Sequence, residues 1–194
     1  MSRILPRALA LWIPFVIALT GVFICIYAAV QQNYRQSLND PQIQLAEDVS
    51  AGLARGATPS FGGSIVDIST SLATWITLYS ASGTPIVSTA QLNGAPPVLP
   101  AGLLNDSTWS TQKTYTYNGM KETRITWQSA GGVRQALVIL HVAAPHDTYI
   151  VVGRNMREVE ARISDISGKL FIGWAVTLLG TLASLGALLF LGAL

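Results

Sequence analysis

Two stretches without a single charged side chain bracket this sequence. Ala8–Val30 runs for 23 residues and Leu170–Leu194 for 25, and neither contains Asp, Glu, Lys or Arg. A helix needs about 20 apolar residues to cross the hydrocarbon core of a bilayer, where every backbone polar group must be satisfied internally. Both stretches are expected to be transmembrane helices, with residues 31–169 forming one polar domain between them. The alternative for the first stretch is a cleaved signal peptide. A signal core runs about 7–15 residues; this one is longer, and Tyr27-Ala28-Ala29-Val30 makes a poor cleavage site.

Charge sets the expected orientation. Arg3 and Arg7 lie on the short flank of the first helix, so the positive-inside rule places the tail, residues 1–7, in the cytoplasm. Residues 31–169 then lie outside, in the periplasm if the membrane is a bacterial inner membrane. Arg154, Arg157, Arg162 and Lys169 border the second helix and pull the other way, but long loops translocate largely regardless of charge. A formal net charge of +2 gives no nucleic-acid footprint. Cys25, the single cysteine, allows neither an intrachain disulfide nor a cysteine-based zinc site.

The polar middle opens as a helix. Tyr34, Leu38, Leu45, Val49 and Leu53 recur near multiples of 3.6 residues. Asp40-Pro41 resembles an N-cap with proline at the first helical position, which predicts a restart or kink there, and Gly56 is a plausible stop. The period then changes to two. Trp75–Tyr79 and Pro85–Thr89, joined by Ser80-Ala81-Ser82-Gly83-Thr84, read as a hairpin. Gly94–Ser107, rich in proline and glycine, reads as loop with a short helix near Leu103-Leu104. Strands are expected at Lys113–Asn118, Glu122–Ser129, Val133–Val142 and Tyr149–Arg154, with Asn118-Gly119 and Gly131-Gly132 as hairpin turns. Asn155 can cap the last helix. Antiparallel hairpins with helices to one side make an α+β domain.

Two segments carry a resemblance. They are the hairpin Ile76–Thr89 (ITLYSASGTPIVST) and Ile150–Ile163 (IVVGRNMREVEARI), where a last strand turns straight into the helix entering the membrane. With the order of elements between two spans, they resemble the extracytoplasmic PAS-like (Cache-type) sensor region of bacterial two-span receptors, such as the front halves of sensor histidine kinases. The resemblance covers nearly the whole chain. It implies an antiparallel sheet with flanking helices, and coupling of a periplasmic signal or ligand to the spans. Such receptors carry a kinase, cyclase or methyl-accepting module after the second span. This sequence ends at Leu194 within apolar residues, so the expectation is either a sensor-like subunit with a partner output protein or a fragment of a longer receptor.

A seam runs through the C-terminal helix. Met156, Val159, Ile163, Ile166, Leu170, Gly173, Thr177, Gly180, Ser184 and Ala187 alternate steps of three and four. The seam is large and apolar where water is expected, as in a coiled coil, and small where lipid is expected, as close helix packing in membranes requires. Ala10, Pro14, Ala18, Gly21, Cys25 and Ala28 form a matching stripe on the first span. The pattern fits packing within one chain or a homodimer's four-helix bundle, and it does not separate them.

Chemical candidates are few. His141, His146 and Asp147 surround a turn but fall short of a metal signature. No G-x-S-x-G elbow or glycine-rich phosphate loop occurs. Glu47-Asp48 and Glu158/Glu160 suit solvated helix faces, and Asn105-Asp106-Ser107 fits a glycosylation sequon. No catalytic role, metal or cofactor is expected. Trp75, Thr77 and Tyr79 share one strand face; Glu122, Arg124, Thr126 and Gln128 share another, with Trp127 turned away from them. Trp75, Tyr79, Arg124 and Trp127 are the candidate ligand-binding set, since aromatics beside an arginine suit a small carboxylate. Core aromatics, with Arg124 paired to Glu122 or a neighbour at the surface, are the competing assignment. The expected partners are the lipid bilayer and a second copy or a membrane partner protein such as a kinase. The functional expectation is a membrane-anchored sensor, against an accessory or scaffold subunit whose outer domain binds protein.

Overall fold

A computed structural model describes residues 4–57, 61–100, 102–105, 109, 114–129, 132–143 and 147–192. The elements run α1 (Ile4–Ala54), β1 (Val66–Asp67), β2 (Trp75–Ser80), β3 (Pro85–Ser88), β4 (Ala90–Gln91), β5 (Thr114–Tyr117), β6 (Met120–Gln128), β7 (Arg134–Val142), β8 (Thr148–Asn155) and α2 (Arg157–Leu191). The chain divides into two compact units, Gln36–Val159 and the paired helical arms Met1–Arg35 and Glu160–Leu194. The first lies within the expected domain, residues 31–169.

The domain is α+β, built on a six-stranded antiparallel sheet in the order β3-β2-β8-β7-β6-β5. The three central strands are buried along nearly their whole length, which is why LVIL of β7 and YIVV of β8 read as apolar runs instead of alternating. One face carries Ile76, Leu78, Val138, Leu140, Ile150 and Val152, and α1 covers it with Ala46 flanked by Ile43, Val49 and Leu53. Among the described residues, Ala46, 1% exposed, is the only one of α1 in the buried part of that core; its small side chain lets the helix approach the sheet. The opposite face carries Trp75, Tyr79, Trp127, Leu137, Ile139, Tyr149 and Val151. The short β1–β4 pair covers it with Val66 and Ala90, and irregular chain with Ile68, Leu99 and Trp109.

Several expectations change. α1 continues through Asp40-Pro41 without a restart. Proline removes one backbone donor, and the helix on both sides of it runs through as one element. Residues 102–104 form a turn and not a helix. A parallel pair, β1 with β4, was not foreseen; two-residue strands leave no period to read. The turn Asn118-Gly119 has φ of 48° and 79°, positive at both central residues as a type I′ hairpin requires. Lys113 and Gly131 lie outside the described residues, as does the side chain of Leu38.

The second unit pairs the two apolar arms. Both helices are long and apolar enough to cross a membrane. The Trp12 indole N–H lies 3.2 Å from the Leu178 carbonyl and 3.0 Å from Thr181 Oγ1. The Trp174 indole donates to Thr20 Oγ1 (3.1 Å). These bonds match an early α1 residue to a late α2 residue, so the arms run antiparallel.

Candidate functional site

The sheet separates the four candidate ligand residues. Trp75, Tyr79 and Trp127 belong to the loop-covered core. Arg124 pairs in register with Val138, a member of the helix-covered core, so it lies on the other face. No pocket of three aromatics and an arginine forms. Side chains alternate along a strand, and Arg124 and Trp127 are three positions apart, so one sheet face cannot present both.

Trp75, Tyr79 and Trp109 of the loop face have their polar atoms held from within. Trp75 Nε1–H donates to Gln135 Oε1 (3.2 Å), and Gln135 Nε2–H donates to the Ile68 carbonyl (2.7 Å). The Tyr79 hydroxyl donates to the Pro97 carbonyl (2.7 Å), and burial pushes its phenol pKa up. Trp109 Nε1–H donates to the Leu103 carbonyl (2.9 Å), and its ring meets Tyr149 edge-on at 6.0 Å. The rings therefore fasten irregular chain to the sheet. Gly153 completes this: it pairs with both Trp75 and Leu137, and a Cβ there would overlap the Trp75 ring. Glycine inside the apolar strand IVVGRN is the sequence signal for such a close approach. Gln135 carried no such signal.

The helix-covered face holds a charged cluster. Arg124 Nε donates to Glu122 Oε1 at 2.6 Å, and the guanidinium lies 3.9 Å from the Tyr115 ring centre. The pairing is the competing assignment, with one change: Glu122 is only 2% exposed, so the pair is buried at its acidic end. Burial, then Glu122 and Asp48, raises the Glu47 carboxyl above its ordinary value, while Arg124 opposes this. Glu47, expected as solvated charge, is half-buried, and Asp48 is exposed.

His141 Nε2 lies 2.6 Å from Asp147 Oδ1, with its ring stacked on Tyr149 at 4.4 Å. His146, Asp106 and Ser107 lie outside the described residues. Among the described residues no group of three His, Cys, Asp or Glu could hold a metal ion.

The seam divides at mid-helix. In the domain, Met156 is buried against Ala136 with Val159 beside it. In the helical arms Ile163, Ile166, Leu170, Gly173 and Thr177 are half-buried, whereas Gly180, Ser184 and Ala187 are exposed. Leu178, Thr181 and Leu185 replace them, with Leu178 buried. A straight helix drifts about 20° per heptad from a 3.5-residue repeat, so a strict three-four stripe leaves the contact after a few turns. Ala10, Pro14, Ala18, Gly21, Cys25 and Ala28 are all exposed. Within Leu9–Val30 the half-buried residues are instead Trp12, Val16, Leu19, Thr20, Phe23 and Val30.

Two grooves flank this contact. One of about 360 Å³ is lined by Thr20, Phe23, Ile24, Tyr27, Ser167, Leu170, Phe171 and Trp174. The other, about 450 Å³, is lined by Phe15, Thr177, Gly180, Thr181, Ser184, Leu185 and Leu188. Neither was read from the sequence. No protein-family model, curated protein or solved structure matches the chain.

Proposed function

We propose that this chain is a receptor-like membrane protein: a PAS/Cache-like domain outside the membrane that couples a signal to two spans and, through them, to a partner output protein. The observation that carries this reading is the junction of β8 and α2. β8, a central strand, ends at Asn155, and α2 begins at Arg157, with only buried Met156 between. Asn155 Oδ1 accepts the Arg157 N–H at 2.9 Å, as an N-cap does. Met156 N–H donates to the Arg134 carbonyl (3.0 Å) and Arg154 Nε to the Leu72 carbonyl (3.1 Å). A strand fastened to its neighbours thus enters a helix without slack, and that helix continues unbroken to Leu191. This suits transmission of a shift or rotation.

In this proposal residues 31–169 face the periplasm of a bacterial cell and the N-terminus stays in the cytoplasm, on the strength of Arg3 and Arg7. The output partner is a kinase or comparable module, reached through a homodimer or a direct complex. The inward hydrogen bonds of Trp75, Tyr79 and Trp109 favour a second reading, an accessory subunit whose outer domain binds protein. Exposed Ile65, Ile86 and Val98 suit such contact.

The test uses a Cys25→Ser background. Ser82→Cys is expected to react with a membrane-impermeant maleimide in intact cells, and Ser2→Cys only after permeabilisation; the reverse pattern overturns the orientation. Spin labels at exposed Ile26 and Ile172 then report on the helix pair. Gly153→Ala in the domain should change their distance distribution. An unchanged distribution removes the coupling and leaves the accessory-subunit reading.

A further inference from the structure

We infer that residues 68–74, the segment between β1 and β2, form a splint across the joint of β8 and α2 and convey movement of the β1–β4 pair to that joint. This rests on the receptor-like reading above and deepens it by naming the element that regulates the junction. Three carbonyls at alternate positions of the segment are each held by a side chain. The Ile68 carbonyl accepts from Gln135 Nε2 (2.7 Å), that of Thr70 from Arg157 Nη2 (3.3 Å) and that of Leu72 from Arg154 Nε (3.1 Å). Arg154 belongs to β8 and Arg157 opens α2. The two arginine bonds therefore straddle Asn155 and Met156, one on the strand side of the joint and one on the helix side.

The course of the segment accounts for this. It leads into Trp75, which pairs with Gly153 of β8. Running back from there, the chain meets Arg154 through Leu72 and Arg157 through Thr70. It thus lies alongside the strand at the place where the strand becomes a helix. A turn of α2 against β8 must stretch one of the two arginine bonds.

The other end of the segment is tied to the layer that covers the loop face. Val66 N–H donates to the Thr89 carbonyl (2.7 Å) and Ile68 N–H to the Gln91 carbonyl (3.0 Å), so this root follows β4. Asp67 shapes the chain between root and grip. Its Oδ1 accepts from the Ser69 N–H (2.9 Å) and hydroxyl (2.6 Å), and its carbonyl accepts from the Ser71 N–H (2.8 Å). Ile68 and Gln135 are buried, whereas Thr70 and Arg157 are exposed. The root is held away from water. The grip on α2 lies in water, where one hydrogen bond exchanges readily for another. A fixed root with a releasable grip can pass a shift of the β1–β4 pair to the helix, and it makes Arg154 and Arg157 positioning residues.

The experiment uses the full-length protein in a Cys25→Ser background, reconstituted in phosphatidylcholine vesicles, with spin labels on Ser82→Cys and Ser164→Cys, both exposed positions. The readout is the width of the distance distribution, which a merely stabilising contact would not move even where it lowers the melting temperature. Arg154→Ala and Arg157→Ala should each broaden the distribution about twofold, and the double variant no further, because the two bonds act in series. Asp67→Ala leaves both arginines in place and should broaden it in the same direction; it decides the matter if an arginine variant does not fold. Glu158→Gln removes the charge partner of Arg154 (3.8 Å) and neither carbonyl bond, and should leave the width unchanged. An unchanged width in the arginine and Asp67 variants, additive broadening in the double variant, or broadening by Glu158→Gln alone overturns the splint. If Gly153→Ala still changes the Ile26–Ile172 distances, the coupling survives that result; if it does not, the receptor-like reading has failed as well.

Discussion

Gly153 lets the Trp75 indole lie across β8. An added Cβ would overlap that ring and come within 2.8 Å of Leu137 Cδ2. Trp75 also holds Gln135, which holds Ile68 (2.7 Å), so the ring cannot move without disturbing a buried hydrogen-bond chain. Overpacking of a filled core costs about 1–3 kcal/mol, and Gly153→Ala belongs at the upper end. For a domain of this size the melting temperature of the full-length protein should fall by roughly 10 °C, with loss of near-ultraviolet tryptophan dichroism. Glu47 supplies a prediction of a different kind. Burial and the nearby Glu122 raise its carboxyl pKa above the ordinary 4.5. The folded state then holds its proton more tightly than the unfolded state. That contribution is fully present below about pH 4.5 and is lost as pH rises through the folded value. Glu47→Gln should therefore stabilise the protein at pH 7 and have little effect at pH 4, as measured by urea denaturation at the two pH values.

At the scale of elements, α2 shows how far a sequence stripe can be trusted. Its upper seam meets packing partners, whereas Gly180, Ser184 and Ala187 do not, because a straight helix has turned away by then. A Cβ on Gly180 would meet nothing within 4 Å. Gly180→Ala should leave the resistance of the helix pair to SDS titration unchanged or slightly raised. Leu178→Ala should lower it by about 1–2 kcal/mol, a packing loss without the water-transfer term. A destabilised Gly180→Ala would mean that another surface covers this glycine. The hairpins were legible because turn chemistry and alternation are local: Asn118-Gly119 and Gly83 stand where positive φ is required. The ligand set was not legible. Alternation says that Trp127 and Arg124 face opposite ways, but which side Trp75 shares depends on pairing across three strands. Register is settled only by non-local contacts. Pro41 marks no restart for a related reason, since a local stop signal was outweighed by helix-forming sequence on both sides.

For the molecule as a whole, the domain and the helical arms use aromatic residues differently. In the domain, indole and phenol groups turn inward to tether irregular chain to a sheet. In the arms, Trp12 and Trp174 join one helix to the other. The upper groove was invisible in the sequence because it arises only where two distant segments, residues 20–27 and 167–174, meet. The way the two helices attach to the sheet has a mechanical meaning. β8 is laddered to β7 along its full length and to β2 over six residues, so tension entering through α2 must tear two ladders before that strand leaves. α1 is held to the sheet by side-chain contacts across a face and can be peeled off turn by turn. Under load the domain would release its first helix well before its last strand, making α1 the compliant tether and α2 the stiff one.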